Sequence, residues 1–241
     1  MQRDTTEQSR GDGFVPGTFS IAAHDAETDE FGVAVSTALV GVGALCPFVS
    51  ENAAVATQSF VQVSHGANAV DMADRGLSVP TACEALLADD AHAGYRQVHG
   101  IDGDGRTFAF SGEDCVDWYG HREADDHTVA GNMLANGDVI EEISETFQAT
   151  EGEVAERLMT ALEAGQGSGG DKRGKISAAL LVHSPDPKLY HNLRIDSSDA
   201  PVDDLREAFE LGKETEAELP ASADEMLGDY PDEILDFGLK Y

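Results

Sequence analysis

The chain has 241 residues and carries 46 Asp plus Glu against 15 Lys plus Arg, a formal net charge of −31, while 41% of its residues are hydrophobic. That length and apolar share suffice for a buried core in one large domain or two small ones, and they exclude a chain disordered throughout. The acidic excess argues against nucleic acid, which needs a basic footprint, and against anionic membrane surfaces; no apolar run approaches the ~20 residues of a membrane span.

The acidic residues are spread along the whole chain, and only five of the basic residues are Lys. Like charges at this density repel in dilute buffer, and concentrated salt shortens the screening length to a few ångströms. The composition therefore predicts a protein suited to a salty cytoplasm. Residues 1–13 are polar and lack the apolar core of a signal peptide; residues 1–17 read as a flexible leader. Cys46, Cys83 and Cys115 are odd in number and far apart, which predicts reduced thiols.

In chain order, residues 18–23 alternate Phe19, Ile21 and Ala23 with Thr18, Ser20 and Ala22, as a strand does. A polar turn over residues 25–30 leads to a second strand at 31–39, and the two predict a hairpin. Residues 53–58 read as a third strand. A helix follows over 67–75, stopped by Gly76, then another with Ser78 as N-cap and Pro80 in its first turn, running to Ala88. Residues 95–101 and 106–111 read as strands around Asp102-Gly103-Asp104-Gly105, a hairpin turn. This turn faintly resembles a calcium loop but has no bidentate Glu at the later position.

Residues 138–149 place Val139, Ile140, Ile143 and Phe147 on one helical face. Thr150 and Glu153 predict a capping box for a second helix, with Val154, Leu158, Ala161 and Leu162 inward and Gly165 ending it. Residues 176–183 form an almost continuous apolar run, a strand buried on both faces. A weaker strand at 189–195 and a short amphipathic helix at 202–212 follow. The domain is thus expected over 18–212, with an acidic extension at 213–241. Paired helices between groups of strands predict an α+β architecture: antiparallel sheets facing each other, helices outside. No internal repeat is present.

Several strings, in this order, carry a family resemblance. They are Thr18-Phe19-Ser20-Ile21-Ala22-Ala23, Gly32-Val33-Ala34-Val35-Ser36, Val55-Ala56-Thr57-Gln58, Gly112-Glu113-Asp114-Cys115, Trp118-Tyr119-Gly120-His121, Gly131-Asn132-Met133-Leu134 and Gly169-Gly170-Asp171-Lys172-Arg173-Gly174. Together they resemble the DUF1028 family over about residues 18–212. The resemblance implies an αββα sandwich of Ntn-hydrolase type and, by analogy of fold, a mechanism. In that mechanism an N-terminal Thr, Ser or Cys attacks an amide while its own α-amine, with a pKa of about 8, acts as base.

Thr18 stands at the matching position, and Gly17-Thr18 is a candidate self-cleavage junction. Two features depart from the pattern. Seventeen residues precede Thr18, so its nitrogen is an amide until they are removed, and residues 37–63 contain no Lys or Arg to tune the hydroxyl. Ser36 is expected to pass beside Thr18 and either relay a proton or merely bond to backbone, Asn132 to supply an oxyanion contact, and Thr57, Gln58 and His121 to line the cleft. Lys172, Arg173 and Lys175 cluster in a Gly-rich turn of an otherwise acidic chain. There Lys172 and Arg173 are expected to hold a substrate carboxylate, with Asp171 orienting Arg173 or binding an amine. The same turn also suits a helix C-terminus complemented by cations.

Three functions stay open: an Ntn-type amidohydrolase acting on a small carboxylate-bearing amide, a non-catalytic module binding a small anion, and a cysteine hydrolase pairing Cys115 with His121. Scattered His and Cys give no metal spacing, and no phosphate-binding or dinucleotide fingerprint occurs, so no cofactor is expected. A homodimer is expected, because so acidic a subunit gains from burying apolar surface.

Overall fold

The computed structural model describes residues 17–171 and 174–227, with side chains to residue 219. The first hairpin forms as its alternation dictates: β1 (Thr18–Asp25) pairs antiparallel with β2 (Glu30–Thr37). β3 (Pro47–Val49) and β4 (Ala53–Ser59) follow, then α1 (Val63–Ala73) and α2 (Val79–Ala88). β5 (Arg96–Asp102) and β6 (Thr107–Ser111) flank the expected turn, where Gly105 takes a φ of 75° and donates its N–H to Asp102 O at 2.9 Å. β7 (Gly120–Glu123) and β8 (His127–Asn132) precede α3 (Asp138–Ala149) and α4 (Val154–Gly167). β9 (Ser177–His183), β10 (Asn192–Ile195) and α5 (Pro201–Leu227) complete the order.

Two antiparallel sheets result, one in the order β10-β9-β2-β1-β8-β7 and one in the order β3-β4-β5-β6. Three buried clusters between layers make the fold an αββα sandwich. Phe19 and Ile21 of β1 meet Ile143, Leu158 and Leu162 of α3 and α4. Ala22, Phe31, Val33 and Val35 meet Ala54, Ala56 and Ile101 of the second sheet. That sheet's far face, with Val55 and Val98, packs on Ala69, Val79 and Cys83 of α1 and α2. The period of two fixes the faces: Phe19, Ile21 and Ala23 point to helices, and Thr18, Ser20 and Ala22 point to the other sheet.

The structure differs from the sequence expectations at several points. β3, β7 and β8 are additional strands; each is short, and His127–Asn132 is too polar to show an apolar pattern. α1 starts at Val63, four residues before the expected start. The Thr150–Glu153 capping box does not form: Glu153 is the N-cap but its side chain makes no capping bond, and Thr150 Oγ1 donates back to Thr146 O at 2.8 Å. Gly165 does not end α4. It lies inside the helix, where a Cβ would come within 2.5 Å of Ile143 Cγ1, so close packing requires it.

α5 runs past residue 212 to Leu227, crossing the expected boundary. Its Ala, Glu, Leu and Lys content favours helix, and its continuation docks: Lys213 Nζ donates to Glu156 Oε2 at 3.0 Å, and Glu216 Oε2 accepts from Leu189 N at 3.1 Å. By contrast, Ser78 caps α2 as expected, accepting from Thr81 N at 3.2 Å.

Candidate active site

Thr18 begins β1 at the edge of the space between the sheets. Its register neighbours are Thr37 on β2 and Asn132 on β8, both fully or almost fully buried. Cross-strand partners share a face, so these three side chains stand together. Thr18 Oγ1 donates to Thr37 Oγ1 at 3.2 Å, and Thr37 Oγ1 donates to the carbonyl oxygen of Gly17. One hydroxyl thus links the nucleophile candidate to the carbonyl immediately before it. Asp171 closes the same end: Ala38 N donates to its Oδ2 at 3.3 Å, and a Cβ added at Gly17 would come within 2.6 Å of that oxygen.

Thr18, Thr37, Leu39, Val42, Cys46 and Gln58 are among the residues that line a cleft here, with about 20 Å³ of free space, room for about one water. The strands that flank it end in left-handed backbone at non-glycine residues, Ser59 (φ 68°) and Met133 (φ 51°), the kind of sparsely populated conformation that concentrates at functional sites.

Behind the cleft a buried chain of polar groups runs between the sheets. Gln97 Nε2 donates to two main-chain carbonyls, Gly120 O at 3.0 Å and Gly131 O at 2.9 Å, and to Ser111 Oγ at 2.7 Å. Carbonyls only accept, so they fix which end of the Gln97 amide is nitrogen. Gln97 Oε1 must then accept from Gln58 Nε2 (2.7 Å), which turns Gln58 Oε1 toward Ser20 Oγ (2.5 Å). With its proton committed there, Ser20 Oγ accepts from His99 Nε2 at 2.8 Å, leaving His99 Nδ1 to accept from Thr128 Oγ1 at 2.8 Å. His99 is therefore the neutral Nε2–H tautomer. Burial, with a smaller push from His121, pulls its pKa down to about 3. The chain holds Gln58 rigidly as a wall of the cleft.

The expected site residues divide accordingly. Thr18, Asn132, Gln58 and Asp171 come together. Thr57 borders the cleft, but its hydroxyl turns away to Gln62 O at 3.4 Å. Ser36 is not beside Thr18: it lies opposite Phe19, on the helix-facing side, and donates to Ser177 O at 3.4 Å. A register offset of one residue reverses the face, and Thr37 holds the place expected for Ser36. His121 is exposed and bonds through Nδ1 to Ser111 Oγ at 2.9 Å, at the outer end of the polar chain.

Cys115 and His121 are not paired, because the Cys115 thiol donates to Arg96 O at 3.5 Å and burial raises its pKa. Cys46 lines the cleft, but burial pushes its thiol up to about 12. Lys172 and Arg173 lie outside the described residues. Lys175 faces Asp203 on α5 at 3.7 Å.

Sequence reasoning missed Thr37, Ser20, Gln97 and His99. The available signal was parity: each is polar and sits at a strand position that faces the other sheet.

A larger open groove, about 420 Å³, lies between α1 and α2 on the outer helical layer. Size alone would favour it, but its Asp90 and His65 are engaged: Asp90 accepts from Arg96 Nε at 2.8 Å and lies 3.4 Å from His65 Nε2, and burial lowers the His65 pKa. The Thr18 cleft carries the better chemistry. Among the described residues no group of three His, Cys, Asp or Glu is placed to hold a metal, and no helix is long and apolar enough to cross a membrane.

Comparison with known proteins agrees with this architecture. A family model described as "Family of unknown function (DUF1028)" matches residues 18–205. Among solved structures the chain is similar to protein SPO2555 from Silicibacter pomeroyi, which is also assigned to DUF1028. The two share 30% sequence identity with a TM-score of 0.74, over 89% of this chain and 88% of that one. No curated protein matches the chain.

Proposed function

The chain belongs to the DUF1028 family, whose description assigns no activity, and from its own residues we propose an N-terminal-nucleophile amidohydrolase in which Thr18 becomes the nucleophile after cleavage of the Gly17–Thr18 bond. The observation that carries this reading is the Thr18–Thr37–Gly17 hydrogen-bond relay. As Thr18 Oγ1 attacks the Gly17 carbonyl carbon, its proton passes to Thr37 Oγ1, and the Thr37 proton passes to the developing alkoxide on Gly17 oxygen. No separate base is needed. Collapse of the tetrahedral carbon breaks the C–N bond. The proton returns through Thr37 to the departing nitrogen, and Gly17 is left as an ester on Thr18 Oγ1. Water hydrolyses the ester, giving a Gly17 carboxylate and a free Thr18 α-amine.

The mature site then repeats the chemistry on a substrate. The free amine, with an ordinary pKa of about 8, takes the hydroxyl proton. Thr18 Oγ1 forms an ester with the substrate acyl carbon, the amine delivers the proton to the departing nitrogen, and water releases the acid. Thr37 Oγ1 and the Asn132 amide are the donors assigned to the developing oxyanion. The substrate class is a small amide or related acyl compound. A carboxylate-holding role for Lys172 and Arg173 is no part of this reading.

Acylation by a small β-lactone tests the assignment. Peptide mass mapping is expected to place one adduct on Thr18 and none anywhere in Thr18→Ala. An adduct on another residue, or equal labelling of the variant, contradicts the reading and leaves a binding module on the same fold.

A further inference from the structure

The floor and the mouth of the Thr18 cleft differ in chemistry. The buried floor holds the polar groups of Thr18, Thr37 and Gln58 beside the apolar Val42 and Cys46, and its free space is about 20 Å³. A scissile carbonyl and one water-sized group fill that space, so the bulk of a substrate lies across the mouth. The mouth is apolar. Leu39 and Val61 line it, and beside them in the chain Val40 is 63%, Phe60 39% and Val63 38% exposed. Tyr95, 43% exposed, stands edge-on to Phe60 with ring centroids 5.7 Å apart.

Seven large hydrophobic side chains are exposed among the described residues; Val40 and Phe60 adjoin the cleft-lining Leu39 and Val61 in the chain, Val63 lies two residues beyond Val61, and Tyr95 packs on Phe60. Scattered exposed apolar residues need no explanation, but a group gathered beside a concave site does. Among the described residues, the cation beside this patch, Arg96, donates from Nη1 to Phe60 O at 2.6 Å and is neutralised by Asp90, with Nε to Oδ2 at 2.8 Å, so it offers an anionic substrate no free charge. An anionic substrate also meets the field of a chain with net charge −31. Contacts between apolar groups are insensitive to that field and persist where salt screens charges.

We infer that the substrate is an uncharged acyl compound whose aliphatic or aromatic group lies across Val40, Phe60, Val63 and Tyr95 while its carbonyl reaches Thr18. The inference rests on the reading of Thr18 as nucleophile and narrows its substrate class. The test is hydrolysis of three 7-amino-4-methylcoumarin amides, acetyl, hexanoyl and succinyl, by the purified full chain as produced. Hexanoyl and succinyl differ little in length but differ in charge. The hexanoyl amide is expected to exceed the succinyl amide at least tenfold in kcat/KM, and Phe60→Ser to narrow that ratio at least threefold.

A succinyl amide cleaved as fast as the hexanoyl amide overturns this inference and leaves the nucleophile standing. Hydrolysis of none of the three, or hydrolysis that survives Thr18→Ala, overturns the nucleophile and this inference with it. A dimer seen by light scattering and lost in Phe60→Ser, with the hexanoyl preference unchanged, assigns the patch to a subunit contact instead.

Discussion

Gln97→Glu tests the polar chain that holds the cleft wall, because it keeps the shape of the side chain and replaces only the nitrogen. In the native protein that nitrogen, on a fully buried residue, donates to Ser111 Oγ and to the carbonyls of Gly120 and Gly131. If the introduced carboxyl stays neutral it keeps one O–H donor, so the variant loses about one to two hydrogen bonds, roughly 1–3 kcal/mol. Ionisation of that carboxyl is worse, since a carboxylate then faces two carbonyl oxygens away from water. Its folded pKa is raised above the unfolded value of about 4.3.

The sign follows. The folded variant binds more protons than the unfolded one above that pH, so its stability falls as pH rises, by about 1.4 kcal/mol per unit until the folded pKa is reached. Guanidinium unfolding of variant and wild type at pH 5.5 and 7.5 is the assay, with Gln97→Leu as a control that cannot titrate. The stability gap for Gln97→Glu is expected to widen by about 2.7 kcal/mol between the two pH values, while the gap for Gln97→Leu stays constant. A Gln97→Glu gap below about 1 kcal/mol, or one independent of pH, refutes the pinning of Gln97 by the two carbonyls and the amide orientation of Gln58 derived from it.

Other expectations concern the relay, the thiols and the charge. Thr37→Val removes the hydroxyl that donates to Gly17 O; self-cleavage followed by intact mass is expected to slow about 10²–10³-fold, the usual effect of losing one oxyanion donor, and an unchanged rate removes Thr37 from the mechanism. Cys46 and Cys83 have thiols pushed by burial up to about 12, so iodoacetamide at pH 8 is expected to leave both unmodified in the folded protein and to label them after denaturation. Labelling of either in the folded state contradicts their burial. With a net charge of −31, the thermal midpoint is expected to rise between 0.1 and 3 M KCl as the screening length falls from about 10 Å to below about 3 Å; a midpoint that stays level or falls rules out salt adaptation.

The layered fold was legible because alternation and helical period are local. Phe19, Ile21 and Ala23 declare one face of β1, and Val139, Ile143 and Phe147 one face of α3, without reference to any partner. The site was legible only in part, because it depends on register between strands distant in sequence. Thr18 could be named through the family resemblance, as the residue that matches the nucleophile position at the head of the first strand. Its true neighbour on β2 could not, since choosing Ser36 or Thr37 turns on a one-residue offset that only the β1–β2 pairing resolves.

The same limit hid the chain from Thr128 through His99, Ser20 and Gln58 to Gln97. Its members come from four strands, with His99 and Gln97 both on β5, and the chain exists only where β1, β4, β5 and β8 meet. Gly165 shows a further limit. A glycine near a helix end signals a cap, but here the helix continues past it, and contact with Ile143 determines the residue.

The state of the bond before Thr18 decides the account most directly. N-terminal sequencing and intact mass of the purified protein, run beside Thr18→Ala, are predicted to give a wild-type chain that starts at Thr18 and a variant that still carries residues ahead of position 18. A wild-type chain that holds Gly17 joined to Thr18 after prolonged incubation in high salt would contradict it.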